Sequence, residues 1–153
     1  MTQTAKIITQ DQADELGDLL TRIIDSAKGY AECCDESDNP RFADLFKKRA
    51  RQRDSFASEI RTCLAESGKD FETDGSMLAG VHRMFVELRS KLSESDEAIF
   101  REIIRGESAL VNAYEEALES IPSTSKAYSI LTRQLSSVRA DLQDVKQKAK
   151  LLD

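Results

Sequence analysis

Tryptophan is absent from this chain, histidine occurs once, and the other aromatic residues are six phenylalanines and three tyrosines. So few flat rings leave little with which to stack bases or cage a ligand. The lone His82 excludes any scheme needing two imidazoles, and no glycine elbow or other local context sets a serine or cysteine nucleophile beside it. Two prolines and six glycines in 153 residues leave long unbroken windows, which favours helices. Nothing is apolar for about eighteen residues, so no membrane span is expected, and no basic-then-apolar leader marks export. Three cysteines, with Cys33 and Cys34 adjacent and Cys63 remote, make neither a disulfide framework nor a Cys-x-x-Cys pair. Free thiols in a reducing cytoplasm are the expectation. Neither a nucleotide-binding loop nor a dinucleotide fingerprint is present.

An apolar fraction of 40% beside 33% charged residues is globular, and the length suits one core in a single domain. A net charge of −6 does not suit a nonspecific nucleic-acid surface. The basic run Lys47, Lys48, Arg49, Arg51 and Arg53 reads as a bundle face balanced by acids elsewhere.

Apolar residues recur at alternating spacings of three and four, and predict five helices, at about 10–37, 40–67, 76–92, 96–120 and 123–152. Thr9 with Gln12 forms a capping box for the first, whose stripe is Leu16, Leu20, Ile23, Ala27, Tyr30 and Cys34. Asp38-Asn39-Pro40 is a tight corner that lays the second helix antiparallel to it, and Gly68 ends that helix. The third is short and carries Leu78, Val81, Phe85, Leu88 and Leu92. Ser95 caps the fourth, Pro122 and Ser123 separate it from the fifth, and no segment alternates at period two for strand length. If the short helix carries the chain back along the bundle, the second and fourth helices run parallel. The expected fold is therefore all-α: an up-down-down-up, ferritin-like four-helix bundle with an extra short helix in the crossover.

The fourth helix carries the most informative residue. Its apolar face is Ile99, Ile103, Leu110, Ala113, Tyr114 and Ala117, and Glu107 interrupts that face beside Gly106. On the second helix Arg53 sits in the stripe between Ala50 and Ala57, whose small side chains leave room for a guanidinium. A buried Glu107–Arg53 pair is expected, joined by Arg49, Tyr30 or Tyr114, because the planar fork of arginine satisfies a carboxylate with two hydrogen bonds. The alternative is a metal centre holding iron or manganese on Asp25, Glu32, Glu59 and Glu107. Ferritin-like di-metal sites need inward carboxylates and a histidine three residues after a glutamate on two helices. Here Thr62 stands three after Glu59, and the fifth helix has neither glutamate nor histidine, only Gln134, Asp141, Gln143 and Asp144 as substitutes.

Five stretches, DSAKGYAECC, RQRDSFASEIR, GSMLAGVHR, RGESALVNAYEEAL and LTRQLSSVRADL, together resemble a family of small bacterial four-helix-bundle proteins of unknown function (DUF2383) related to the ferritin-like superfamily. The resemblance spans roughly residues 10 to 145. It implies a ferritin-like bundle in the bacterial cytoplasm, with Gly29, Tyr30, Arg53, Phe56, Gly75, His82, Arg83, Gly106, Glu107 and Tyr114 as characteristic residues, and no established activity or cofactor. Met84 and Phe85 stand where the family pattern has a tryptophan after His-Arg.

The expected function is that of a non-catalytic bundle acting through self-association or a protein partner, with Phe71, Phe85 and Phe100 as apolar residues left over for a dimer patch. A ferritin-like metal-binding or redox protein with a degenerate carboxylate site is the alternative.

Overall fold

Four long helices pair as two antiparallel hairpins in the computed structural model, which describes residues 8–71 and 79–151, with only the backbone of 79–84. The helices are α1 (Gln10–Glu36), α2 (Pro40–Ser67), the short α3 (Ala79–Lys91), α4 (Asp96–Ser120) and α5 (Lys126–Lys150), and no strand occurs among the described residues.

Their ends are set by local chemistry. Gln12 N–H donates to Thr9 Oγ1 at 3.1 Å while Thr9 N–H donates to Gln12 Oε1 at 2.8 Å, which closes the capping box. Asn39 Oδ1 accepts from Arg41 N–H at 2.9 Å, with Pro40 following in the first turn. Gly68 stops α2 in the left-handed region, φ 73°, where a side chain would be strained. α5 begins three residues later than its sequence pattern suggests. Ser125 is the cap, its Oγ accepting from Tyr128 N–H at 3.1 Å and donating to Pro122 O at 2.7 Å, so 122–125 forms a turn. The expected start of α3 at 76, its stripe residues Leu78 and Val81, and His82 lie outside the described residues or side chains.

Two apolar clusters fix the directions of the helices. One gathers Leu16 and Leu20 of α1, Ile60 and Leu64 of α2, Leu110 and Tyr114 of α4, and Leu131 and Leu135 of α5. The other gathers Tyr30 and Cys33, Phe42 and Phe46, Ile99 and Ile103, and Val145. The start of α1 and α5 thus lies with the end of α2 and α4, which is the up-down-down-up order. α1 neighbours α2 and α4, α5 completes the square, and α3 packs outside on α1 and α4. Phe85 of α3 lies directly on Gly29, where an added Cβ would come within 2.2 Å of its ring. That glycine admits the crossover helix.

Three expectations about the surface change. Phe85 and Phe100 are buried, the latter 5.1 Å from the Phe42 ring, and Phe71 packs half-buried against the core. They are therefore not spare residues for a dimer patch. At the end of α1 it is Cys33, not Cys34, that is fully buried. The basic run of α2 divides, Arg49 and Arg53 turning inward while Lys47, Lys48 and Arg51 stay exposed. No described helix is long and apolar enough to cross a membrane.

Candidate functional site

The residues that interrupt the apolar stripes meet at the bundle centre. Arg53 of α2 is wholly buried, and its guanidinium reaches across to Glu107 of α4, itself 2% exposed. Nη2 donates to Glu107 Oε1 at 2.6 Å, and Nη1 to Oε2 at 3.1 Å, a two-pronged pairing. Nη1 also donates to Ser26 Oγ of α1 at 3.0 Å, and Nε to Gln52 Oε1 at 3.1 Å. Each of the three guanidinium nitrogens thereby donates to a protein acceptor.

Tyr30 completes the carboxylate's surroundings. Its hydroxyl donates to Glu107 Oε2 at 3.0 Å, and the Arg53 guanidinium carbon lies 5.7 Å from its ring centroid. The ring stacks on Phe46 and meets Phe85 edge-on at 5.2 Å. Burial first, then the neighbouring Glu107 charge, pushes this phenol well above its ordinary value. Burial alone would lower Arg53, but the Glu107 carboxylate outweighs it and the guanidinium is held more firmly charged.

Arg49 extends the layer outward. Its Nε lies 3.6 Å from Glu107 Oε1 and its Nη1 3.4 Å from Asp141 Oδ1 of α5, while Gln52 Nε2 donates to Asp141 Oδ2 at 2.9 Å. Two arginines therefore face two carboxylates in a layer that spans all four long helices.

Tyr114 belongs to a different layer. It donates to Gln134 Oε1 at 2.7 Å rather than to Glu107, and the amide of Gln134 donates to Phe56 O at 3.2 Å and to Glu59 Oε1 at 2.9 Å. Glu59 is in turn held by Arg133 at the surface. Sequence reasoning noticed Gln134 and Asp141 only as substitutes for missing metal ligands. The better signal was the position of Gln134, three residues after the buried Leu131, in the cleanest apolar stripe of the chain.

The four proposed metal ligands do not converge. Glu107 is occupied by Arg53 and Tyr30, Glu59 by Arg133 and Gln134, and Glu32 is exposed beside Arg89. Asp25 is buried on α1. Among the described residues no group of three or more histidine, cysteine, aspartate or glutamate side chains is placed to hold a metal ion. The donor set does not fit iron or manganese, because Glu107 already neutralises Arg53, whose ion pairs among the described residues reach no other acid. The Cys33 thiol, pushed up to about 12 by burial and then by Glu36, stays protonated and is a poor nucleophile.

Two helical hairpins joined by one crossover, closed around an arginine–glutamate layer, define a ferritin-like bundle with an ionic centre. The chain belongs to the family described as Domain of unknown function (DUF2383), which matches residues 11–120 and lies within the ferritin-like superfamily. The match stops at the end of α4, so the LTRQLSSVRADL stretch of α5 lies outside it. No curated protein and no solved structure matches the chain.

Proposed function

We propose that this protein is a non-catalytic helical bundle that works through its outer surface, by self-association or with a protein partner, in the cytoplasm. The observation that carries the reading is the occupancy of Glu107: both its oxygens are taken by Arg53 and Tyr30, so the central acid serves the fold. The three free cysteines support a reducing compartment, and the acidic net charge argues against nucleic acid as the partner. Long helices laced by exposed pairs such as Lys126–Glu66 and Arg139–Glu115 present a rigid, charged surface. Elemental analysis of untagged protein purified without chelator, before and after anaerobic reconstitution with ferrous or manganous ion, is expected to find essentially no metal. A ratio of about one or two metals per chain, the stoichiometry of ferritin-like sites, would overturn the reading.

A further inference from the structure

The bundle carries its charges on opposite sides. α1 has only Arg22 and Lys28 as cations, and α4 only Arg101 and Arg105, among many carboxylates. α5 shows the reverse, with only Asp141 and Asp144 as acids, and α2 also has more cations than acids. In the square of helices α1 and α4 are neighbours, and so are α2 and α5. The α1/α4 side, part of which α3 covers with Arg89 set against Glu32 and Glu36, is therefore acidic and the α2/α5 side basic, although the chain as a whole is at −6.

The separation sharpens once internal pairs are set aside. Glu116 and Glu119, on the last turns of α4, are exposed and paired with no described cation. Lys47 and Arg51, in the first half of α2, are exposed and paired with no described acid, and so are Lys146 and Lys150 of α5. Because α2 starts where α4 starts, at the end opposite Glu116 and Glu119, these patches occupy diagonally opposed corners. Apolar residues do not offer a competing surface: among the described residues only Val86 and Leu151 are large, apolar and exposed.

We propose that the basic α2/α5 side of one copy docks on the acidic α1/α4 side of a second copy, in a head-to-tail contact. This rests on the surface-acting reading above and names its partner. Such a contact uses two different patches, so each docked copy leaves one patch free and chains of copies can grow. With charge rather than apolar area behind it, the contact forms fast, is weak, and is sensitive to salt.

The test uses the whole protein in sedimentation-velocity runs from micromolar to millimolar concentration at low and high ionic strength. At low salt the average mass should rise with concentration, and the apparent affinity should fall by on the order of tenfold or more at high salt. Lys47→Glu with Arg51→Glu should be monomeric at low salt, as should Glu116→Lys with Glu119→Lys, each with an unchanged helical circular dichroism signal. Mixed together, the two variants again present complementary charges across the contact and should associate where neither does alone. A wild-type monomer under every condition would overturn the proposal. So would association indifferent to salt, or reversed variants that still associate alone. None of these outcomes changes the metal content, so failure here is distinguishable from failure of the surface-acting reading.

Discussion

The two buried polar layers solve the same problem with different chemistry. In the layer around Glu107 the partners are ions, sealed on all sides, and the pair is 0% and 2% exposed at the side chains. In the layer around Gln134 the inner contacts are neutral, from Tyr114 and the Phe56 carbonyl, and the charge appears only at the rim, where Glu59 meets a half-exposed Arg133. Net gain from such contacts is modest in both, since desolvation cancels much of it. The difference lies in what happens when one partner is lost. A stranded ion costs far more than a stranded hydroxyl, and the rim pair, in solvent, is worth little.

Replacing Arg53 tests the larger side of that comparison. Arg53→Met should lower stability by about 3–5 kcal/mol, measured by urea unfolding, because Glu107 stays buried with Tyr30 as its close donor. A loss similar to that of the neutral layer would erase the distinction. Gly29→Ala comes next, at about 1–3 kcal/mol, since Phe85 must leave its seat on α1. Hydrogen exchange should then quicken in α3 while α5, beyond the charged layer, keeps its protection. Gln134→Leu removes the acceptor of Tyr114 at nearly constant volume and should cost about 1–2 kcal/mol. If that loss matches Arg53→Met, the neutral layer is as critical as the ionic one.

The smallest effect is one of pH. Both Tyr30 and Tyr114 are raised above the ordinary 10.0, burial being the largest cause in each. Below that value both states are protonated and the contribution is intact; above it the unfolded phenols ionise while the folded ones do not, so the unfolded state binds fewer protons and stability falls. Urea midpoints should therefore drop between about pH 9 and 11, and Tyr30→Phe should make the drop shallower. An unchanged slope would place the Tyr30 phenol in solvent.

Much of this architecture was legible in the sequence because it rests on local signals. The Thr9–Gln12 box, the Asn39-Pro40 corner, Gly68 and the three-four stripes are each complete within a few residues, and the short first corner forces the antiparallel start. Glu107 and Arg53 were visible because an ion inside an apolar stripe has few places to go. What stayed hidden depends on rotation and distance between helices. Tyr114 lies about two turns from Glu107 on α4 itself, and its meeting with Gln134 depends on how α4 and α5 are set against each other. Ser26 and Asp141 joined the ionic layer from helix faces whose periodicity marked them as ordinary polar positions. The burial of Phe85 and Phe100 followed from where α3 sits and how α2 meets α4, which no local pattern states.

The central claim is that Glu107 and Arg53 are a structural pair, each needed because the other is buried. A double-mutant cycle in urea tests it most directly, using Glu107→Leu, Arg53→Met and the two combined. Each single change should cost about 3–5 kcal/mol, while the double variant, with both charges gone, should lie within about 1–2 kcal/mol of the parent. Costs that simply add, or a Glu107→Leu loss below about 1 kcal/mol, would contradict it and show that the two charges do not depend on each other.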